Sequence, residues 1–302
     1  MEIRTGEEKD IPDIVRLLKI SLGESLTPKS EEFWRWKHVD NPFGPSPVLV
    51  AIEGDHIIAV RAFIRWNWIY GNKIYKSVRA VDTATHPAYQ RKGIFRKLTL
   101  QLVDQCEADG INFIFNTPNP RSKPGYIKMG WHDLGNLKVQ FLPVLNFKKM
   151  SSEFSEEYKF NNQLISQLYS SLLRITNFAT FRSSDFFRWR YDSNPNATYH
   201  MIASPKFDFA IIFRIKSFRF GKEFRIVEII RGAKYSEEEA KRNLLCAIKA
   251  SGANLVTASG TEIPRLNFGL NIGPSVTIKP LNFSIPMTLD FWKPSLGDME
   301  LF

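Results

Sequence analysis

The chain has 302 residues, with 41 lysines and arginines against 31 aspartates and glutamates, a formal net charge of +10, and 43% hydrophobic residues. That apolar share excludes a disordered chain or a fibrous repeat, and the length suits one large domain or two modest ones. Two cysteines, Cys106 and Cys246, exclude a disulfide framework and a four-cysteine metal site and point to a reducing cytosol. The first ten residues carry acids where a secretory leader needs an apolar stretch, and no window approaches the roughly twenty apolar residues of a membrane span. A soluble cytoplasmic protein is the expectation, and its basic excess suggests an anionic partner.

In chain order, Ile11, Ile14, Val15, Leu18 and Leu22 fall at helical spacing behind a possible Asp10 N-cap. A short aromatic helix is predicted from Ser30 to Lys37, ending before Asn41-Pro42. Pro47–Ile52 and Ile57–Trp66 are apolar runs separated by Glu53-Gly54-Asp55, a hairpin signal, and Ile74–Thr85 is a further strand. Gly93–Asp109 reads as a helix, Ile111–Phe115 as a buried strand and Ser122–Met129 as a short helix. Between Asp55 and Asp104 the one acid is Asp82, set among nine lysines and arginines from Arg61 to Lys97.

The second half echoes the first. Phe186–Pro195 matches Phe33–Pro42 at five of ten positions, an offset of 186 − 33 = 153, and Ala250–Val256 echoes Ala108–Ile114 at an offset of 250 − 108 = 142. Two matches in the same order indicate a tandem duplication, with domains expected over 1–148 and 149–302 and a polar seam near 147–157.

Chemistry concentrates at Thr85-His86-Pro87-Ala88-Tyr89-Gln90-Arg91-Lys92-Gly93-Ile94-Phe95, which joins a strand to a helix. Free amides and the positive end of the helix dipole suit a pyrophosphate, with charge added by Arg91 and Lys92. No P-loop or Gly-x-Gly-x-x-Gly accompanies it. The segment resembles the acyl-CoA-binding loop of the GNAT superfamily of N-acyltransferases, whose signature is Gln/Arg-x-x-Gly-x-Gly/Ala: Gln90 and Gly93 match, and Phe95 departs from the final small residue. A second stretch, Asn119-x-x-Ser122-x-x-Gly125-Tyr126-x-Lys128-x-Gly130-Trp131, is similar to the family's Asn-x-x-Ala-x-x-Phe-Tyr-x-Lys-x-Gly-Phe, with Ser122 and Gly125 substituted.

The resemblance implies an α/β fold of two tandem GNAT-like domains, each a mixed, mostly antiparallel twisted sheet flanked by helices. It also implies direct transfer of an acyl group, most simply acetyl, from coenzyme A to a primary amine of a small molecule or aminosugar. Tyr126 would protonate the departing thiolate, and Thr83, Ala84 and Thr85 would pair with the pantetheine arm. Gln90, Arg91, Lys92, Gly93, Ile94 and Phe95 would cradle the pyrophosphate. Asn119 would meet the pantetheine or cap a helix. The proton acceptor is either Asp82, directly or through water, or an Asp82 spoken for by Arg79 or Arg61 leaves that role open; the Phe302 carboxylate is a further candidate. No histidine spacing indicates a metal.

The second half lacks the loop: Ser236-Glu237-Glu238-Glu239 opens its helix, a capping box whose acids would repel a phosphate. It reads as a degenerate copy, with Glu228 nearest in place to Asp82. Two alternatives stand beside this reading: a tRNA-dependent aminoacyltransferase and a non-catalytic acyl-CoA-binding protein. Nucleic-acid binding is disfavoured because no reader motif accompanies the charge.

Overall fold

A computed structural model describes the chain except residues 24–27, 146–149, 151–152, 171–177, 205, 207, 260–268, 271–272, 283–287, 293 and 300–302. The first elements are β1 (Glu2–Thr5), α1 (Ile11–Leu22), α2 (Glu31–His38), β2 (Val48–Glu53), β3 (His56–Tyr70), β4 (Lys73–Thr85), α3 (Ile94–Ala108), β5 (Phe113–Asn116), α4 (Lys123–Lys128) and β6 (His132–Asn136). There follow β7 (Val139–Pro143), α5 (Phe154–Glu157), α6 (Asn162–Ser170), β8 (Ala179–Thr180), α7 (Ser184–Phe187), β9 (His200–Ala203), β10 (Phe209–Phe218) and β11 (Gly221–Arg231). The last are α8 (Glu237–Ser251), β12 (Leu255–Ser259), β13 (Gly269–Leu270), β14 (Ser275–Pro280), α9 (Leu289–Trp292) and α10 (Leu296–Met299).

The chain divides into two compact units, Met1–Gly135 with Ser275–Thr288, and Asn136–Pro274 with Leu289–Leu301. Each is built on a mixed sheet flanked by helices. The first sheet runs β1-β2-β3-β4-β5-β14-β6 and the second β13-β7-β12-β11-β10-β9. A single cut near residue 148 does not describe this division, because strands are exchanged: β14 pairs antiparallel with β5, and β7 pairs antiparallel with β12. Of the expected polar seam, 147–149 and 151–152 lie outside the described residues, and Phe154 is fully buried in the second unit's core.

In the first unit the sequence patterns become faces. Ile11, Ile14, Val15, Leu17 and Leu18 of α1 cover one side of the sheet with Val50, Val60, Ala62 and Ala84. Leu98, Leu102, Val103 and Cys106 of α3 cover the other with Ala59, Phe63, Val78 and Ala80. Burial pushes the Cys106 thiol pKa up to about 12, so it is an inert core group. Ser30 caps α2, its Oγ accepting from Phe33 N–H at 3.1 Å. Asp10 precedes α1 but does not cap it: its carboxylate accepts from Arg4 at 2.6 and 2.8 Å and from Glu7 N–H at 2.8 Å, tying β1 to the helix start.

One irregularity positions the site. The β3–β4 register runs Arg61↔Thr83 and then Ala62↔Val81, so Asp82 is an extra residue, a β-bulge, with φ of 34°. Strand alternation would put residues 80 and 84 on the same face. The bulge reverses it, and Ala80 faces α3 while Ala84 faces α1.

Candidate active site

The bulge lies where β4 leaves β5. Their parallel pairing covers only Ser77↔Phe113, Val78↔Ile114 and Arg79↔Phe115, so beyond Arg79 strand β4 keeps β3 on one side and has no strand partner on the other among the described residues. A strand inside a sheet with an open edge needs hydrogen-bond partners. The edge includes Thr83, Ala84 and Thr85, and an extended, amide-bearing chain such as pantetheine fits it as another strand would.

The edge leads through a 3₁₀ turn, Pro87–Tyr89, to the start of α3. Gln90 Nε2 donates to Thr85 O at 3.2 Å and ties the loop back to the strand. Arg91 and Gly93 have φ of 62° and 77°, in the left-handed region where glycine costs least. The first helical hydrogen bond there runs from Lys97 N–H to Gly93 O at 3.0 Å, so the amides of Ile94, Phe95 and Arg96 remain available, as at any helix start. A Cβ on Gly93 would meet no atom within 4 Å, which leaves open space beside these amides. With Arg91 and Lys92 exposed alongside, the cradle suits a pyrophosphate.

Tyr126, on α4, is buried beneath this segment, its ring edge-on to Phe95 (5.7 Å between centroids) and Trp131 (5.2 Å). Its phenol oxygen accepts a hydrogen bond from Arg61 Nη2 at 2.7 Å. Phe95 turns its half-buried side chain onto the core, as its departure from a small residue demands. Gly125 lies opposite: a Cβ there would sit 3.5 Å from Phe95 Cε1, so a large residue at 95 is accommodated by a small one at 125. Asn119 spends its side-chain oxygen on the turn into α4, accepting from Arg121 N–H at 3.0 Å and Ser122 N–H at 2.9 Å.

Asp82 pairs with neither Arg79 nor Arg61. Its Oδ2 accepts from Lys37 Nζ and His38 Nε2 of α2, each at 2.8 Å. Oδ1 has no partner among the described residues. His38 is buried, and burial pushes its pKa down despite the adjacent carboxylate. It is therefore neutral, with Nε2–H donating to Asp82 and Nδ1 accepting from Ser46 Oγ–H at 2.9 Å. Burial works to raise the Asp82 pKa, but Lys37 and His38 outweigh it and hold the carboxyl well below the ordinary range. At neutral pH Asp82 is therefore an anion, on the α2 side of β4, whereas Tyr126 lies on the α3 side. The Phe302 carboxylate lies outside the described residues, which contain no group of three or more histidine, cysteine, aspartate or glutamate side chains arranged to hold a metal.

A family model described as "Acetyltransferase (GNAT) domain" matches residues 2–133. Residues 2–133 are thus similar to a GNAT domain. Solved structures share the fold over nearly the whole chain. A GCN5-related N-acetyltransferase from Anabaena variabilis is 14% identical, with a TM-score of 0.68 over 93% of this chain and 73% of that one. A conserved protein of unknown function from Enterococcus faecalis, described as a probable N-acyltransferase, is 12% identical, with a TM-score of 0.66 over 93% and 73%. N-myristoyltransferase from Saccharomyces cerevisiae, solved with myristoyl-CoA, is 12% identical, with a TM-score of 0.57 over 92% and 78%. No curated protein matches the chain at the sequence level. Among the described residues no helix is long and apolar enough to cross a membrane.

The second unit also carries a bulged hairpin beside a short parallel pairing. Strands β9, β10 and β11 are antiparallel, and β11 runs parallel to β12 only from Glu223↔Leu255 to Arg225↔Thr257. A bulge again interrupts the hairpin, Ile212↔Glu228 being followed by Phe213↔Ile226. Beyond it the edge is filled by the chain itself: Arg190 Nη2 donates to Gly297 O at 2.8 Å, and Leu296 N–H donates to Ser259 Oγ at 3.2 Å. Gly297 lies so close that a Cβ would come within 3.1 Å of Val227 O. Glu228 is buried under Arg182 (2.8 Å), Tyr191 (2.9 Å) and Ser295 (2.8 Å). At the start of α8, Ser236 Oγ accepts from Glu239 N–H at 3.3 Å, and three glutamates occupy the first turn.

Sequence reasoning passed over Lys37, His38 and Ser46, and brought in Arg61 only as a possible partner of Asp82, not of Tyr126. The available signal for Arg61 was a cation inside the apolar run Ile57–Trp66, at a position that alternation points inward.

Proposed function

We propose that this chain is an acyl-CoA-dependent N-acyltransferase, most simply an acetyltransferase, whose chemistry is carried by the first unit and whose acceptor is a primary amine of a small molecule or aminosugar. The observation that carries the reading is the open edge of β4 running directly into the Gly93 cradle, with the Tyr126 phenol beside it. The second unit, its own edge filled by α10, serves as a degenerate, structural copy.

Acyl-CoA, when bound, supplies the acyl group as an activated thioester. Gly93, Ile94 and Phe95 offer amides to its phosphates, and Arg91 and Lys92 add charge. The open edge of β4 offers donors to the pantetheine amides and to the thioester oxygen, whose developing charge preorganised donors stabilise. Tyr126 gives its hydroxyl proton toward the departing sulfur. Asp82 is too weak a base to withdraw a proton from a free amine in advance. Its Oδ1 instead orients the amine and receives the proton as the attacking nitrogen turns acidic.

The test is coenzyme A release from acetyl-CoA across a panel of primary amines and aminosugars. Turnover with at least one acceptor is expected, and Tyr126→Phe should lower kcat about 10- to 100-fold. Unchanged turnover in that variant removes Tyr126 from the mechanism. Steeply salt-dependent tRNA binding without acetyl-CoA binding favours the aminoacyl-transferring alternative.

A further inference from the structure

We infer that Arg61 is a positioning residue for the proposed acyl transfer: it fixes the direction in which Tyr126 presents its hydroxyl proton and supplies that hydroxyl with a buried positive charge. The inference rests on the acyl-CoA reading and concerns a residue outside both family motifs.

Arg61 is completely buried. Its guanidinium carbon lies 4.7, 5.6 and 5.4 Å from the ring centroids of Phe63, Phe95 and Tyr126. Nη2 donates to the Tyr126 oxygen at 2.7 Å, Nη1 reaches Val81 O at 3.4 Å, and Nε has no hydrogen-bond partner. No carboxylate among the described residues pairs with it, and Asp82, one residue beyond Val81, is held by Lys37 and His38. A buried cation without a counter-ion is costly, and a core built for stability alone would place an apolar side chain here.

The direction of the phenol hydrogen follows from valence. A guanidinium is donor-only and stays protonated, so the Tyr126 oxygen must accept and its own hydrogen must point elsewhere. No described residue accepts that hydrogen. In the transfer the C–N bond forms and the C–S bond breaks with its electron pair going to sulfur. Tyr126 gives its proton to that sulfur, Asp82 takes the proton lost by nitrogen, and solvent exchange restores both groups. The Arg61 cation, acting through the hydroxyl it holds, favours negative charge on the neighbouring sulfur before the proton arrives.

The test needs no acceptor. Free coenzyme A is bound to the full-length protein and its thiol is titrated by thiolate ultraviolet absorption, with thermal melts confirming folding. Arg61→Gln and Tyr126→Phe are each expected to raise the bound thiol pKa by about one unit over wild type, and the double variant to match Tyr126→Phe, since Arg61 acts through the phenol. Arg61→Lys, which keeps a cation, should retain part of the wild-type depression and decides the matter if Arg61→Gln does not fold. A thiol pKa in Arg61→Gln equal to wild type, or in Arg61→Lys equal to Tyr126→Phe, overturns the inference and leaves the acyl-CoA reading standing. Failure of wild-type protein to bind coenzyme A overturns both.

Discussion

His38 Nε2 donates to Asp82 Oδ2 at 2.8 Å, joining the end of α2 to a strand bulge 44 residues away. The second unit makes the equivalent contact with different chemistry: Tyr191, at 191 − 38 = 153 residues beyond His38, donates to Glu228 at 2.9 Å. The shared device ties a helix to the bulged strand. A carboxylate with a free oxygen survives at Asp82, whereas at Glu228 the carboxylate is enclosed by Arg182, Tyr191 and Ser295.

Replacing Asp82 with asparagine keeps the shape and a residue that tolerates φ of 34°, but leaves the Lys37 ammonium buried without its anion. A loss of about 2 kcal/mol is expected in urea unfolding. Stability equal to wild type would mean that the Lys37 and His38 contacts contribute nothing net.

Acidification should act first through His38. Its folded pKa is below the ordinary 6.5, so the unfolded chain binds the proton more readily. This contribution to stability is complete above about pH 6.5 and is lost as pH falls toward the folded value. Asp82, held below its ordinary 3.8, keeps its contribution to lower pH. His200, also lowered by burial, adds to the slope in the same direction. Urea midpoints measured from pH 8 to pH 4.5 should therefore fall less steeply in His38→Gln, and parallel curves would contradict the assignment.

Phe95 and Gly125 should behave as a coupled pair. Phe95→Ala removes a half-buried ring at a cost of about 2 kcal/mol, and Gly125→Phe drives a side chain into the same space. Combined, the two substitutions should cost less than their sum by about 1 kcal/mol or more in a double-mutant cycle. Additive losses would mean that the two positions do not share a space.

Much of the fold is legible in local patterns. The apolar spacing of Ile11–Leu22 specifies a helix with those bounds, and β2 and β3 meet the turn Glu53-Gly54-Asp55 within a residue of expectation, although β3 runs on to Tyr70, four residues past the expected Trp66. The pyrophosphate cradle is legible because its chemistry is backbone geometry at a strand–helix junction, marked by Gly93. The partners of Asp82 are not, because Lys37 and His38 meet it across 45 and 44 residues and its face depends on a one-residue bulge that alternation cannot locate. Nor is the strand exchange: β7 and β14, of 5 and 6 residues, carry no local mark of which sheet they join.

Acetyl-CoA binding to the Gly93 cradle is most directly measured by thermal stabilisation of wild type against Gly93→Glu. At ligand concentrations of about 100 Kd, wild type should gain about 2.7 kcal/mol. The glutamate variant, folded but carrying an acid and a Cβ at φ of 77°, should gain nothing. No wild-type shift at millimolar acetyl-CoA, or an equal shift in both proteins, contradicts an acyl-CoA site at this loop.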